Sequence, residues 1–512
     1  MKNVFAILFL IFFGAVLYGL TLRGVYGNFA SSEVKNNLDQ TTKPLELSPE
    51  RGRYLLTVSL AENKSFALSK ELADAAYPDV GYYEGRFYVY FAPGISLLAL
   101  PFYLIGKSYQ VAQVGAFSVI SLFAILNLVF LFLIGRKILN LSVALALLAA
   151  LIFGFAASSW SYAITLYQHH VTTFFILSSF YAVWRYKDAG RWSWFWGVYV
   201  WFCFGYGIAI DYPNALLIFP VIIYFFIVSV KYRLNDEGLK INARPTFFLT
   251  SVIFIMLIAL HGYYNHQEFG SWKRLSGSLV GYKSIIEENI IQDDGGKEKL
   301  KELATRKSNI VRFFAEEKLA RGFNVLMFSR DRGLFLYAPI FLLGILGLFM
   351  SAGRVNLELG ILYSLIGINV FLYSSWGDPW GGWAFGPRYL IPTMAVLSLF
   401  IADFLSHASW KWTGRMTAFL FIIYSSAVSL MGALTTNAVP PKIEADPLGA
   451  RYGIARAFEY FQKQESSSFL FNHYFVHQGI SLEQYYYMIL ALVAMVFAVV
   501  LFILPLFEEK KL

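Results

Sequence analysis

Apolar runs of about 20 residues, separated by short connectors and a few long polar loops, dominate the pattern of this chain. A run of that length crosses the hydrocarbon core of a bilayer as a helix. Twelve such helices are predicted, at 3–22, 111–135, 141–160, 170–184, 192–209, 213–230, 246–264, 333–351, 356–374, 388–406, 415–435 and 484–507. The runs lack the residue-by-residue alternation of a transmembrane β-barrel. The fold class is therefore all-α, a polytopic helical membrane protein. The stretch from Val4 to Leu20 is longer than a signal-peptide core and no small-x-small site clearly follows, so it reads as an uncleaved first helix. The run at 92–106 has only about 15 residues, too short for a comfortable span. It reads instead as a re-entrant or interfacial helix, opened by Pro93-Gly94.

Composition sharpens this picture. The 512 residues are 57% hydrophobic and only 15% charged, whereas a soluble domain carries about a quarter charged residues. The single cysteine, Cys203, excludes an intramolecular disulfide. The net charge of +9 reflects short connectors rich in Lys and Arg, not a nucleic-acid surface. Arg136-Lys137, Arg185-Lys187-Arg191, Lys231-Arg233-Lys240-Arg244, Arg354, Lys411-Arg415 and Lys510-Lys511 all fall on the side of Lys2. That side is predicted to be cytoplasmic, with both termini on it. The opposite, external side receives the long polar loops 23–110, 265–332, 375–387 and 436–483. Treating 92–106 as a full crossing would invert every later loop and break the charge rule. Residues 1–435 then form a transmembrane core, and 436–512 an external loop with the last helix. No repeat of fixed period is apparent.

The first long loop concentrates charge within 48–103, and polar loops flanked by membrane helices are where such proteins place chemistry. Ser48-Pro49-Glu50-Arg51 reads as a helix start: Ser48 caps, Pro49 suits the first position, and Glu50 meets the positive end of the dipole. Tyr54, Leu55, Val58 and Ala61 recur at helical spacing, which predicts an amphipathic helix lying along the membrane surface. The plain role of Glu50 is to stabilise its own helix.

An acidic residue, two residues, Arg-Tyr, an amphipathic helix, an aromatic-rich stretch and an apolar helix follow one another here. This order resembles the first loop of GT-C glycosyltransferases, in the branch of the lipid-A aminoarabinose transferases and protein O-mannosyltransferases. Aligning Arg53-Tyr54 puts Glu50 on the family's catalytic aspartate. The chain departs from the family pattern at Arg51, where a second acid is usual. It departs again at Phe91-Ala92-Pro93, where the family has Lys-Pro-Pro. The stretches from Trp376 to Tyr389 and from Ser329 to Pro339 resemble loops of family-39-like bacterial members.

The resemblance implies inverting sugar transfer from a polyprenyl-phosphate donor to an envelope lipid, glycan or protein acceptor. Such a transfer needs a base for the acceptor and cations for the phosphate leaving group. Glu50 and then Asp79 are the candidate catalytic carboxylates, and Arg53, Arg86, Arg332 and Arg388 the candidate phosphate holders, since a guanidinium binds two phosphate oxygens at once. Asp211 and Tyr212 occupy a turn between two helices, where Asp211 either caps or lines the pocket. His169 and His170 are adjacent, so they face different sides of a helix and chelate poorly as a pair. One of them then serves as a polar cap while the other is free to meet phosphate or a metal. Trp376, Asp378 and Trp380 form either an aromatic belt or a sugar-binding wall. A divalent metal is possible. Membrane lipids are the implied surroundings, and no nucleic acid is expected. The rival classes are a secondary transporter or flippase, which would carry charges inside its spans, and a non-catalytic scaffold.

Overall fold

The computed structural model describes residues 2–28, 45–235, 238–287, 316–354, 356–407 and 411–508. Part of the predicted external loop at 265–332, including Glu288, Asp293 and Asp294, lies outside the described residues. The chain opens with α1 (Lys2–Thr21), α2 (Ser48–Val58) and α3 (Lys70–Ala76), then the hairpin β1 (Val80–Tyr83) and β2 (Arg86–Val89). Next come α4 (Gly94–Ser108), α5 (Ala112–Lys137), α6 (Val143–Phe155), α7 (His169–Tyr186), α8 (Ser193–Ile210) and α9 (Phe219–Ser229). The hairpin β3 (Val230–Asn235) and β4 (Gly238–Ala243) leads to α10 (Val252–Phe269) and the two-residue β5 (Val280–Gly281). The second half holds α11 (Glu316–Phe328), α12 (Phe341–Ser351), α13 (Leu357–Ser374), α14 (Ile391–His407), α15 (Lys411–Leu434), α16 (Ile454–Gln462) and α17 (Leu482–Ala498).

Helices carry the fold, as the apolar runs predict; among the described residues the strands form two small antiparallel sheets, β2-β1-β5 and β3-β4. Among the described residues, eight helical stretches are long and apolar enough to cross a bilayer: Lys2–Thr21, Ala112–Lys137, Gly190–Ile210, Pro245–Phe269, Leu357–Ser374, Arg388–His407, Trp412–Leu434 and Leu482–Phe507. Predicted spans at 141–160, 213–230 and 333–351 become shorter apolar helices, Val143–Phe155, Asn214–Ser229 and Phe341–Arg354. The predicted span at 170–184 is α7, 18 residues long but interrupted by His, Thr and Ser side chains. The chain is thus a multi-pass membrane protein; among the described residues eight of its helical stretches meet the demands of length and apolarity.

The two ends of the bundle differ in charge. At one end Arg244 donates to the Tyr186 and Lys187 carbonyls, Lys187 pairs with Glu358, and Arg354 pairs with Asp403. Arg136 reaches Asn3 at that same end. These are the basic connectors that the sequence groups on one side. The other end holds the long loops and the helix α2.

That helix corrects an expectation. Rather than lying on a lipid surface, α2 is enclosed: Glu50, Gly52, Arg53, Tyr54, Leu55, Leu56, Thr57 and Val58 are all buried. Apolar residues at helical spacing mark a face that seeks cover, and here the cover is protein. Thr57 donates to the Ser96 carbonyl at 3.3 Å and Ser96 to the Arg53 carbonyl at 2.8 Å, which seats α2 on α4.

The 15-residue α4 folds back on α5 through two glycines. A Cβ on Gly115 would lie 2.4 Å from the Phe102 carbonyl oxygen, and one on Gly106 would lie 2.7 Å from the Val111 oxygen. Both obstacles are backbone, which cannot swing aside. Gly115→Val is expected to lower the unfolding temperature in detergent, at a cost of about 1–3 kcal/mol for overpacking. Gly19→Ala, with nothing within 4 Å of the added atom, should leave it nearly unchanged. Equal shifts for both would show that the α4–α5 approach is not tight.

Candidate functional site

The start of α2 lies one residue earlier than Ser48-Pro49 suggests. Leu47 is the N-cap, and Glu50 on the first turn accepts the Leu47 N–H at 3.2 Å. Ser48, freed from capping, donates its hydroxyl to Asp79 at 2.5 Å. The other Glu50 oxygen accepts the hydroxyl of Thr165. Glu50 is wholly buried. Burial, and then the charge of Glu46, push its carboxyl up to about 7, against the pull of Arg23, Thr165 and the Leu47 N–H.

Arg53 follows one turn along and is also buried. Its Nη1 donates to the Pro49 carbonyl at 3.0 Å, its guanidinium lies 4.3 Å from the Phe91 ring centre, and its Nε has no partner among the described residues. Phe91 gives Arg53 an aromatic face. Burial pulls the Arg53 group down to about 10, so it remains a cation at neutral pH.

A second buried guanidinium comes from the far half of the chain. Arg388, at the head of α14, lies 5.2 Å from the ring centre of Tyr167 and 5.5 Å from that of Tyr389. Its Nε and Nη1 have no hydrogen-bond partner among the described residues. Gly381 stands against it with φ of +69°, and a Cβ there would come within 3.0 Å of both Arg388 Nε and the Tyr389 ring. Asp211, just past the end of α8, accepts Gln168 Nε2 at 3.0 Å. Burial raises its carboxyl while Arg53, Gln168 and Arg388 draw it back. His169 stacks on Tyr167 at 6.1 Å and meets Tyr389 edge-on at 6.1 Å. Glu50, Arg53, His169, Asp211 and Arg388, predicted from scattered positions, therefore gather around Tyr167 and Tyr389. Two cations with free N–H groups beside a protonatable carboxylate can hold an anion and accept a proton.

Other predicted residues stand elsewhere. Asp79 sits at the rim, held by Ser48, within the electrostatic reach of Arg51 and Arg53. Arg86 is exposed at the tip of the β1–β2 hairpin. Arg332 is buried, but its nitrogens donate to the carbonyls of Trp380 (3.0 Å), Asp331 (2.7 Å), Gly382 (2.9 Å) and Val439 (2.9 Å). It clamps loops together instead of presenting a phosphate fork. His170 turns away from His169, with Nε2 2.8 Å from the Ser159 carbonyl and Asn127 on its other side. Tyr212 pairs with Ser276 at 3.3 Å. Asp378 is exposed and accepts the N–H groups of Trp380 and Gly382, so it shapes its own turn. Trp380 carries Arg321 over its ring at 5.0 Å, whereas Trp376 touches the cluster through Tyr373. Among the described residues, no group of three or more His, Cys, Asp or Glu side chains is placed to hold a metal.

Sequence reasoning missed the backing of Glu50. Arg23, just beyond α1, is wholly buried; it pairs with Glu46 at 2.8 Å and donates to the Gly432 carbonyl at 3.0 Å. The Asn437 N–H completes Glu46 at 2.7 Å. Polarity beside an apolar run marks Arg23 as unusual, but no local pattern brings residues 432–437 to it.

Residues 96–276 match the family described as dolichyl-phosphate-mannose-protein mannosyltransferase. No curated protein matches the chain in sequence. Among solved structures, the chain is similar to ArnT from Cupriavidus metallidurans bound to undecaprenyl phosphate. The two are 12% identical with a TM-score of 0.49, over 96% of this chain and 76% of that one. It is also similar to the Archaeoglobus fulgidus oligosaccharyltransferase in the apo form, at 14% identity and a TM-score of 0.45, over 87% of this chain and 57% of that one. The family match covers 181 of the 512 residues, from within α4 to just past α10.

Proposed function

We propose that this protein moves a sugar from a polyprenyl-phosphate donor to a hydroxyl or amine of an envelope lipid, glycan or protein, on the external face of the cytoplasmic membrane. The observation that carries this reading is the pairing of two buried, incompletely bonded guanidiniums, Arg53 and Arg388, with the buried carboxyl of Glu50. The external placement is supported by the basic connectors gathered at the opposite end of the bundle.

In this reaction Glu50 takes the proton of the acceptor. The acceptor oxygen or nitrogen bonds to the anomeric carbon, and the bond from that carbon to the phosphate oxygen breaks. The electron pair leaves with the phosphate, and the anomeric configuration inverts. Arg53 and Arg388 meet the charge that grows on the departing phosphate. Asp79, at the rim, stands next in line as a base.

Glu50→Gln is expected to lower sugar transfer in membranes by about 10²–10⁴-fold, the usual worth of a positioned base. Near-normal transfer would remove Glu50 from this role and move it to Asp79. Because a base must be ionised and burial pushes the Glu50 carboxyl up to about 7, transfer should rise as pH increases through that region. Glu46→Gln removes a negative neighbour, eases ionisation of Glu50, and should move this rise to lower pH. A pH profile unchanged by Glu46→Gln would show that Glu50 does not set it. Arg388→Ala should raise the KM for donor in a protein that still folds, whereas Arg332→Ala should lower the unfolding temperature by undoing four hydrogen bonds. A folded Arg388→Ala variant with unaltered donor KM would exclude Arg388 from the phosphate site.

A further inference from the structure

The first turn of α7 carries polar side chains of two kinds. Some are satisfied: His170 by Ser159 and Asn127, and Thr173 by donating to the His169 carbonyl at 2.8 Å. Others are not. The His169 Nε2, the Thr172 hydroxyl, the Gln168 Oε1 and the Tyr167 hydroxyl are buried and have no partner among the described residues. His169 is 4% exposed, Thr172 3% and Tyr167 1%. Thr172 lies three residues after His169 and four after Gln168, one turn along the same helix.

Opposite this polar strip stands an aromatic wall. Tyr373 and Tyr389 stack with ring centres 4.2 Å apart and planes within 6°. Tyr389 bridges the two regions, touching His169 on one side and Arg388 on the other. The His169 imidazole and the Tyr167 hydroxyl lie within the electrostatic reach of both Arg53 and Arg388. Leaving a buried donor or acceptor unpaired costs about 1–3 kcal/mol per group, so a row of them marks a place where a ligand supplies the partners. A ligand with hydroxyls on its edge and C–H groups on its face satisfies both walls at once.

We propose that His169, which meets Tyr389 of the Tyr373–Tyr389 stack, and Thr172, one turn along α7, bind the sugar ring of the donor through its hydroxyls and decide which sugar is accepted. This rests on the reading of the site as that of a lipid-linked sugar transferase. Arg53 and Arg388 grip the phosphate that every donor shares, and the α7 strip reads the part that differs between donors. His169 offers a ring nitrogen that either donates or accepts, and Thr172 a hydroxyl that does both. A site built to bond a substrate hydroxyl discriminates sharply against an analogue that lacks it.

The test measures binding of two kinds of lipid to the purified full chain in nanodiscs: bare polyprenyl phosphate, and a panel of polyprenyl-phosphate hexoses and pentoses. The wild type is expected to bind at least one panel member more tightly than the bare lipid. His169→Ala and Thr172→Val should each weaken that member by about tenfold or more, as for a lost buried hydrogen bond. Both should bind the bare lipid within about twofold of the wild type. Thr172→Ser, which restores the hydroxyl, should recover most of the loss, and guards against a mere folding defect. Equal weakening of both lipids, or no weakening of either, overturns the subsite. A wild type that binds bare lipid but prefers no panel member also overturns it. Failure to bind even bare polyprenyl phosphate would instead overturn the proposed function.

Discussion

A guanidinium taken out of water must find acceptors, and in this protein Arg332 finds four backbone carbonyls. These belong to three separated stretches, at 331, 380–382 and 439. The loop that precedes α14 is thereby closed against the loop that follows α15, and Arg388 is delivered to the site at its end. Asp378 tightens the same loop by accepting two of its amides. Gly381 completes the fit, since only a residue without a side chain lets the backbone press on Arg388 and Tyr389. The position of Arg388 is thus a property of the loop assembly.

A second buried ion pair does the corresponding work on the other side of the site. Arg23 and Glu46 satisfy one another and also the Gly432 carbonyl and the Asn437 N–H. This ties the end of α1 to the end of α15, immediately behind Glu50. A buried ion pair is weak evidence for stability, because desolvation offsets much of the attraction. It does leave two opposed charges beside Glu50, whose carboxyl is raised first by burial and then by Glu46, while Arg23 draws it back. The contrast with Arg53 and Arg388 is informative. Arg332 bonds through all three of its nitrogens, whereas Arg388 leaves Nε and Nη1, and Arg53 and Arg23 each leave Nε, without a partner among the described residues.

Several residues of the first loop gain a physical sense in this arrangement. Phe91 supplies an aromatic face to Arg53. Arg51 donates to the Tyr77 carbonyl at 2.8 Å and lies within reach of both Glu50 and Asp79. Asp79 is bonded by Ser48, the residue that seemed the helix cap. Moving the cap by one residue thus links the two candidate carboxylates through the start of one short helix.

Apolar runs and their basic connectors were enough to determine an all-α membrane protein and the grouping of its charged connectors at one end, because lipid solvation acts on each segment separately. The acidic helix start and the opposed faces of His169 and His170 were legible for the same local reason. Local patterns did not distinguish a helix covered by lipid from one covered by protein, so α2 read as a surface helix although it is buried. Nor did they separate Arg332 from Arg388, two arginines in similar loops. Only tertiary structure decided that one spends its donors on carbonyls while the other keeps them, since hydrogen-bond satisfaction depends on partners distant in the chain. Tyr167, Tyr389 and the Arg23–Glu46 pair came to light for that reason alone.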